Sequence, residues 1–199
     1  MLIEGGARVS GADKEGFTPL HRCAQEEPVS GNNDDEEQAQ DYKDKLDQAK
    51  AKVASLLLSK GADVNAKETK GHQRPLHLAA MNGLAAVTKE LLKAGADVNA
   101  TNKILQTPLI YSIIEEHPPV IKILVSGGAD VNYGNSLHSD WSAIHWAALT
   151  DNNDVLQAVL ESDEVRNVKD RSGRYPDTLA VEHGKTNVVD KLRKLKKQQ

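Results

Sequence analysis

The sequence is poor in cysteine, in aromatic residues and in long apolar segments. It has one cysteine, so no disulfide can form within the chain. Aromatic residues make up 4% of its 199 positions, which suits thin layers of small apolar side chains better than a bulky globular core. No apolar run approaches the roughly 20 residues that cross a bilayer, and no signal-like apolar region follows Met1. We therefore expect a chain that does not insert into membranes and resides in the cytoplasm or the nucleus.

The net charge is also small. Lys and Arg total 25 against 29 for Asp and Glu, which gives a net charge of −4 at pH 7. So mild a balance offers no argument for binding to nucleic acid or to a membrane surface. We therefore expect no nucleic acid partner.

One segment of the sequence recurs at nearly fixed intervals. Its clearest copy runs from Arg74 to Ala100 and reads RPLHLAAMNGLAAVTKELLKAGADVNA. The residue before the PLH element advances by 56, 33, 35 and 33 positions, through Thr18, Arg74, Thr107, Ser142 and Tyr175. The residue that ends each copy recurs as well, at Gly6, Gly61, Gly95 and Gly128, with Asp163 in the fifth place. A period near 33 indicates stacked structural repeats.

Each copy has the pattern of two short helices. Pro75 suits the first turn of a helix, because the N–H that it lacks would have no partner there. Asn82-Gly83 interrupts this helix, and the apolar residues of 87–92 form one stripe of a second helix. Gly95 then provides a left-handed cap. A single helix pair of this kind cannot bury its apolar faces, so neighbouring copies must stack.

The PLH-containing element and its period resemble the ankyrin-repeat family. The resemblance implies an all-α solenoid of stacked helix-turn-helix units with protruding β-turn fingers. The whole chain, 1–199, is then a single ankyrin-repeat domain. Its predicted parts are a partial N-terminal repeat at 1–12, repeat one at 13–66, repeat two at 67–100, repeat three at 101–133, repeat four at 134–168 and a degenerate closing repeat five at 169–199.

Repeat one carries an insertion between its two helices, at about 26–47. There are 43 positions between Thr18 and Gly61, where Arg74 to Gly95 takes 21. The inserted stretch EEPVSGNNDDEE is interpreted either as a solvated loop or as a docking element for a basic partner. Apolar residues then recur every three or four positions within 42–57, which predicts that the second helix of this repeat begins several turns early.

No set of side chains indicates catalysis or a bound cofactor. His21, His77 and His145 occupy the same repeat position, and the resemblance implies that this histidine forms hydrogen bonds at the start of the first helix and ties adjacent turns together. The remaining histidines lack the spacing of metal ligands, and they are His72, His117, His138 and His183. Cys23 aligns with Ala79, a small buried position, and is interpreted as a structural thiol. We predict no enzyme activity, no metal site and no cofactor.

The resemblance also implies a protein-binding surface on a concave face built from the turns and first helices. Its variable positions fall on Gln25 and Glu26 in repeat one and on Met81 and Asn82 in repeat two. In repeats three and four they and their neighbours are Lys103, Ile104, Gln106, Tyr111, Ile114, Glu115, His138, Ser139, Trp141, Trp146, Leu149 and Thr150. Aromatic and long apolar residues are the usual interface anchors, so we expect the surface to centre on Trp141.

Two of these predictions have a second interpretation. Ile104 and its neighbour Leu105 lie at the tip of a turn, where they either contact a partner or fold back on the adjacent turn. Trp146 either contacts the partner directly or packs between first helices.

The predicted function is a non-catalytic protein–protein interaction module or scaffold, monomeric, whose partner is another protein. An alternative is that the chain is the targeting or regulatory ankyrin domain of a larger enzyme or channel, which the unfinished repeat at 1–12 favours. A third interpretation makes the chain a substrate. Asn65, Asn99 and Asn132 each follow Asp-Val, in the pattern that asparagine hydroxylases modify in the ankyrin-repeat family.

Overall fold

The structure, a computed structural model, describes residues 9–25 and 36–196. Within those ranges the regular structure is helical, with no strand beyond an isolated bridge between Asn135 and Trp141. The α-helices are α1 (Pro19–Cys23), α2 (Glu36–Ser59), α3 (Pro75–Met81), α4 (Ala85–Lys93), α5 (Pro108–Ile114), α6 (Pro118–Ser126), α7 (Ala143–Thr150), α8 (Asn153–Val159), α9 (Pro176–Glu182) and α10 (Val189–Lys196). A 3₁₀ helix, Ser136–His138, precedes α7. The predicted all-α fold class is confirmed.

The chain divides into two compact units, an N-terminal unit up to Asp97 and a C-terminal unit from Val98. Parts of two predicted features fall outside the described residues. The partial repeat at 1–12 is described only from residue 9, and residues 26–35 of the predicted insertion are not described. The repeat boundaries stay predictions.

The first helix of each repeat begins where the sequence pattern predicts. Helices α1, α3, α5 and α9 start at a proline, and α7 starts at Ala143 in the corresponding place. The residue before each of these helices has an extended backbone. At two of these places the residue is threonine, and the side chains of Thr18 and Thr107 accept a hydrogen bond from the backbone N–H three residues later. Such a cap satisfies one of the N–H groups that a helix start leaves without a partner.

Glycine ends the second helices for a reason of backbone conformation rather than of space. Gly61, Gly95 and Gly128 have φ angles of 87°, 83° and 88°. A Cβ atom built on any of them would meet no other atom within 4 Å. The constraint is therefore the left-handed φ, which glycine adopts without steric cost. The predicted left-handed cap at Gly95 is confirmed.

In the N-terminal unit the helices form two layers. Helix α1 packs on α3, and α2 packs on α4. Leu20, Leu76 and Leu91 are among the fully buried side chains that hold these layers together. Helix α2 has 24 residues and α4 has 9, so the predicted early start of the second helix in repeat one is confirmed.

Asp47 joins the additional N-terminal turns of α2 to the start of α4. Its carboxylate accepts hydrogen bonds from the backbone N–H of Ala86, at 2.7 Å, and of Val87, at 3.1 Å. Helix α4 has no capping side chain of its own at Leu84. Asp47 therefore caps α4 from the neighbouring helix, with its negative charge at the positive end of the helix dipole.

The C-terminal unit repeats the two-layer arrangement. First helices α5, α7 and α9 pack in one row, and α6 packs on α8 in a second row, with α10 against α9. Its largest fully buried side chains are Leu109, Ile110, Ile113, Ile121, Leu124, Ile144, Leu156, Leu179 and Leu192. No helix among the described residues combines the length and the apolar character that crossing a bilayer requires.

Candidate functional site

A short turn precedes each first helix, and we call these turns fingers. In every finger the backbone N–H of the first residue donates to the carbonyl oxygen of the last residue, at 2.8 to 3.2 Å. The fingers are finger 1 (13–17), finger 2 (68–73), finger 3 (102–106), finger 4 (135–141) and finger 5 (170–174). The same hydrogen bond closes the base of every finger, although the fingers differ in length. The residues at the tip can therefore vary while the base keeps its position on the helix layer.

The first residue of each finger is an acid or an asparagine whose side chain accepts backbone N–H groups from within the finger. In finger 3, Asn102 Oδ1 accepts from the N–H groups of Ile104 and Gln106. Finger 2 is one residue longer and uses the longer Glu68, whose Oε1 accepts from Gly71 and Gln73. The sequence interpretation missed these acceptors. Their sequence signal is an Asp, Glu or Asn five to seven residues before the residue that caps the first helix.

Glu68 and Asp170 keep their charge because of these hydrogen bonds. Burial by itself raises the pKa of each carboxyl group. In Glu68 the backbone N–H donors of the finger outweigh burial and lower the pKa. In Asp170 burial is outweighed by the donors of Arg174 and Trp141, and the pKa falls to about 2. Both groups are therefore carboxylates at neutral pH, as their roles as acceptors require.

The histidines at the common repeat position join the fingers to the helices, as predicted. His21 Nδ1 lies 2.9 Å from Thr18 Oγ1, and its Nε2 lies 3.2 Å from the carbonyl oxygen of Gln73 in the next finger. His145 makes the corresponding contacts with Ser142 and with the carbonyl oxygen of Arg174. Burial lowers the pKa of both His21 and His145, so both rings are neutral at pH 7. Their interpretation as architectural residues is confirmed.

Finger 4 and helix α7 bring three aromatic side chains together. The rings of Trp141 and Trp146 meet edge to face, with centroids 5.1 Å apart, and the ring of His138 lies 5.2 Å from that of Trp146. All three side chains are half-buried. We call them the aromatic cluster. Trp146 therefore packs against Trp141 and His138, as one of the two sequence interpretations predicted, and all three residues remain partly accessible to solvent.

Finger 5 holds the aromatic cluster in place. Trp141 Nε1 donates to Asp170 Oδ2 at 3.0 Å, and Arg174 Nη2 lies 2.7 Å from the same oxygen. The guanidinium of Arg174 also lies 6.0 Å from the centroid of the Trp141 ring, within reach of a cation–π contact. At the tip of the finger, Arg171 forms a two-bond ion pair with Asp140. The indole of Trp141 is thus fixed by a charged network.

The aromatic cluster contains two polar atoms that the fold leaves unsatisfied. His138 Nδ1 and Trp146 Nε1 are buried and have no hydrogen-bond partner among the described residues. Finger 4 also holds two successive non-glycine residues in the left-handed region, Ser139 at φ 55° and Asp140 at φ 58°. Such conformations cost of order 1 to 3 kcal/mol each and concentrate at binding and switch sites.

Two finger tips expose apolar side chains. Ile104 in finger 3 is 47% exposed, and Leu137 in finger 4 is 60% exposed. Ile104 is therefore accessible rather than folded away. Its neighbour Leu105 is half-buried and has a φ of 56°. Leu137 was not among the predicted contact residues, and the sequence signal that points to it is the apolar residue within the two-residue extension of finger 4.

The other predicted contact residues differ in accessibility. Lys103, Ile114 and Glu115 are exposed, and Gln106 is buried at 6% exposure, so its side chain is not part of the accessible surface. The half-buried ones are Met81, Asn82, Tyr111, Ser139, Leu149 and Thr150. Met81 and Asn82 belong to the N-terminal unit, where the amide of Asn82 donates to the carbonyl oxygen of Ala24. Gln25 is half-buried and also belongs to the N-terminal unit, Glu26 lies outside the described residues, and the remaining predicted residues belong to the C-terminal unit.

Asn65 in the N-terminal unit and Asn99 and Asn132 in the C-terminal unit make the same set of hydrogen bonds, which we call the asparagine ladder. In each case the side-chain amide donates to a carbonyl oxygen about one repeat later, and the side-chain oxygen accepts a backbone N–H two residues beyond that. Asn65 bonds to Gly95 and Asp97, Asn99 to Gly128 and Asp130, and Asn132 to Glu164 and Arg166. The ladder joins successive repeats within each unit.

We also searched the described part of the chain for metal ligands and for a reactive thiol. No group of three or more His, Cys, Asp or Glu residues there is arranged to hold a metal ion. Cys23 is half-buried, and burial raises the pKa of its thiol, which makes it a poorer nucleophile.

Comparison with known proteins identifies the repeat type. A family model described as "Ankyrin repeats (3 copies)" matches residues 47–135, and one described as "Ankyrin repeat" matches residues 15–69. The chain is 32% identical over 143 residues to "Tyrosine-protein kinase Shark" of Drosophila melanogaster. It is 26% identical over 186 residues to "Ankyrin repeat and SOCS box protein 3" of Homo sapiens and 31% identical over 193 residues to "Inversin" of Canis lupus familiaris.

These alignments cover most of this chain and little of each relative. They include 71%, 92% and 97% of the chain, in the order given, but 15%, 32% and 16% of the relatives. The chain therefore spans about a third or less of the length of these proteins.

Proposed function

This chain belongs to the ankyrin-repeat family, whose repeats generally mediate protein–protein interactions, and we propose that it is a non-catalytic module that binds a partner protein. In this proposal the contacts in the C-terminal unit are made by fingers 3 and 4 and by the ends of the first helices. The observation that carries the proposal is the exposure of Ile104 and Leu137 at finger tips, together with the half-exposed aromatic cluster.

The chemistry of this surface suits a protein partner. Aromatic and long apolar side chains contribute most of the energy at protein interfaces when a partner removes them from water. Covering an apolar side chain contributes about 25 cal/mol per Å² of buried apolar surface. The charged network around Asp170 fixes Trp141 before binding, so little conformational entropy is lost when a partner covers the ring.

The test is affinity capture from the source cell with matched variants. The protein is compared with the double variant Ile104→Asp/Leu137→Asp and with the control Val168→Asp, which changes an apolar residue that is 37% exposed outside the fingers. Both variants alter exposed side chains, and circular dichroism checks that they remain folded. We expect a protein that the native chain and the control retain and the double variant loses. Equal retention by all three would refute the assignment of the finger tips as the contact surface.

A second candidate function is that this chain is the ankyrin domain of a larger enzyme or channel. The observation in its favour is the similarity to "Tyrosine-protein kinase Shark", of which the chain covers 15%. In that case the finger surface would target or regulate the remainder of the protein. A single open reading frame in the source transcript that joins these repeats to a catalytic or channel sequence would support this function.

The asparagine ladder extends the proposal to modification by a hydroxylase. Asn65, Asn99 and Asn132 use both ends of their side-chain amides in hydrogen bonds, so an enzyme would have to withdraw each residue from the ladder. Mass spectrometry of the protein isolated from cells, with peptide assignment, is expected to find additions of one oxygen at one or more of these residues. Unmodified asparagine at all three would contradict this extension.

We further propose that the protein is monomeric and cytoplasmic or nuclear, and that neither nucleic acid nor insertion into a membrane is part of its function. Fluorescence imaging of a tagged chain tests the location, and sedimentation equilibrium of the purified chain tests the oligomeric state.

A further inference from the structure

Finger 4 has a strained tip, which consists of residues 136–140. The tip contains the 3₁₀ helix Ser136–His138 and then two successive left-handed residues, Ser139 and Asp140. Every other finger has one left-handed residue, and these are Gly16, His72, Leu105 and Gly173. Left-handed backbone strains residues other than glycine, although aspartate tolerates it better than most. Two such residues in succession occur in this finger alone, and a segment of this kind persists only where the surrounding structure holds it.

The tip also leaves two polar atoms without hydrogen bonds. The ring of His138, within the tip, lies 5.2 Å from the ring of Trp146 in α7. His138 Nδ1 and Trp146 Nε1 are both buried without a partner among the described residues. An indole N–H can only donate, and an imidazole Nδ1 donates or accepts according to its tautomer. Burying such atoms unpaired costs free energy, so the side chains and the backbone of the tip both favour an open conformation.

Arg171 of finger 5 holds the tip closed. Its backbone N–H donates to the carbonyl oxygen of Ser139 at 2.9 Å. Its guanidinium donates to both carboxylate oxygens of Asp140, at 3.0 and 3.1 Å. These contacts, which we call the latch, therefore fall on the two left-handed residues themselves. The side chains of Arg171 and Asp140 are 59% and 44% exposed, so the ion pair of the latch lies in water and its contribution is modest.

The base of finger 4 is fixed independently of the latch. Asn135 is fully buried, and its side-chain amide donates to the carbonyl oxygen of Ile104 in finger 3 at 3.2 Å. Its backbone N–H donates to the carbonyl oxygen of Trp141, and the indole of Trp141 donates to Asp170. A strained tip on such a base can move as a flap while the helices stay packed, because its hydrogen bonds are those within the finger and those of the latch.

We propose that the tip of finger 4 is a gate, which the latch holds closed and which opens to offer Trp146 and His138 to a partner protein. In the open state the indole N–H of Trp146 donates to an oxygen of the partner, from a carbonyl or a carboxylate group, and the partner then covers the opened tip. The gate is a property of this chain by itself. Its use in binding rests on the function proposed for fingers 3 and 4.

A gate of this kind links motion to affinity by one factor. If only the open state binds the partner, the apparent dissociation constant is that of the open state divided by the fraction of molecules that are open. A substitution that raises a small open fraction by some factor therefore lowers the apparent dissociation constant by the same factor. Motion and affinity can be measured separately, so the equality is a stringent check.

The first experiment is hydrogen exchange of the protein alone, read at the tip amides of Leu137, His138 and Asp140, all of which donate to Asn135 in the closed state. Arg171→Ala is expected to speed their exchange about three- to fivefold, equivalent to about 0.7 to 1 kcal/mol. Arg171→Lys retains a charge and should give an intermediate rate.

A matched control places the effect in finger 4. Lys70→Ala breaks the corresponding exposed ion pair, between Lys70 of finger 2 and Glu15 of finger 1. It is expected to leave exchange at the tip of finger 4 unchanged. Circular dichroism checks that the variants remain folded.

A second pair of variants tests the unpaired indole. Trp146→Phe and Trp141→Phe lose the same atoms, but the first removes an N–H without a partner and the second removes one that Asp170 accepts. We expect exchange at the tip to be at least about threefold slower in Trp146→Phe than in Trp141→Phe, because the closed state of the former no longer buries an unpaired donor.

The last experiment uses the protein that affinity capture with the native chain retains, purified and titrated by fluorescence anisotropy. Arg171→Ala is expected to bind it more tightly, by the same three- to fivefold factor as the change in exchange. Trp146→Phe is expected to bind it at least about tenfold more weakly, through loss of the donated hydrogen bond.

Each outcome decides a stated part of the proposal. Unchanged exchange in Arg171→Ala, or equal exchange in the two Phe variants, would overturn the gate. Faster exchange in Arg171→Ala with unchanged or weaker binding would overturn its use in recognition. If no protein is captured, the proposed function fails and the use of the gate in binding fails with it, whereas the exchange measurements still decide whether the gate exists.

Discussion

Asp170 is the residue on which the contacts of finger 5 converge. Its carboxylate accepts from the backbone N–H groups of Ser172 and Arg174, from the guanidinium of Arg174 and from the indole of Trp141. The side chain has no exposed surface. Removing the charge would leave a guanidinium without its principal partner in a partly buried place, which is a costly arrangement.

Asp170→Asn is expected to lower the free energy of unfolding by about 2 kcal/mol. The figure follows from the fall in pKa from 3.8 to about 2, at about 1.4 kcal/mol for each pKa unit. Urea unfolding followed by tryptophan fluorescence measures the change, because Trp141 reports on the same site. Asp163→Asn, at an exposed residue, serves as the control and is expected to change stability by less than about 0.5 kcal/mol. Equal stability of the two variants would contradict the role given to Asp170.

The same carboxylate predicts a pH dependence with a definite sign. The folded pKa of Asp170 lies below its ordinary value of 3.8, so the unfolded chain takes up a proton first as the pH falls. The contribution of this charge is therefore complete above about pH 4 and is lost as the pH falls to about 2. The difference in unfolding free energy between the native protein and Asp170→Asn should shrink across this window. A difference that stays constant from pH 5 to pH 2 would show that the charge is not the cause.

Among single residues, the sequence predicted the role of those whose type recurs in each repeat and missed the role of those whose type varies. His21 and His145 were predictable as architectural residues because the same residue type returns at each interval. The finger acceptors were not, because Glu68, Asn102 and Asp170 differ in type, and Glu68 stands one position further from its helix than the other two do from theirs. These residues share the role of accepting hydrogen bonds from backbone N–H groups. That role does not require one residue type or one fixed distance from the following helix.

Among the structural elements, fingers 2 and 3 differ by one residue in length and by one carbon in the side chain that braces them, whereas the seven-residue finger 4 is braced by Asn135 through the single N–H of Leu137. Finger 2 spans six residues and is braced by Glu68, while finger 3 spans five and is braced by the shorter Asn102. The carboxylate of Glu68 accepts from three N–H groups of the finger, those of Lys70, Gly71 and Gln73. A side chain with one carbon fewer cannot reach all of them.

Glu68→Asp is therefore expected to destabilise the protein by about 1 kcal/mol, because at least one partly buried backbone donor loses its partner. Thermal unfolding followed by circular dichroism measures the loss. Glu164→Asp makes the same chemical change at an exposed residue and should leave the melting temperature nearly unchanged. If the two variants melt together, the match between side-chain length and finger length is not what stabilises finger 2.

Helix positions were the elements most accessible from sequence. Proline at the first helical position, glycine in the left-handed cap and apolar spacing of three and four each depend on local backbone chemistry, and they predicted α3, α4 and the early start of α2. The conformation of finger 4 was not predictable in this way. Its 3₁₀ helix and the left-handed residues Ser139 and Asp140 depend on tertiary contacts with finger 5, such as the ion pair to Arg171.

At the scale of the whole molecule, the same few contacts are used again in each repeat. The asparagine ladder, the finger histidine and the closed finger base all join residues about one repeat apart or nearer. Stability in such a chain is approximately a sum over repeats and over the interfaces between neighbours. Sequence could therefore predict the repeat class and the positions of the first helices, but not which side chains are exposed at the finger tips, since that exposure depends on the folded arrangement.

In the function that we propose, the chain binds a partner protein through fingers 3 and 4. Its most direct test is hydrogen exchange of the protein, alone and with the partner retained by affinity capture. We predict slower exchange on binding for the backbone amides of 102–106 and 135–141, with little change in the second helices α6 and α8. Protection confined to α6 and α8, with unchanged exchange in both fingers, would contradict the claim.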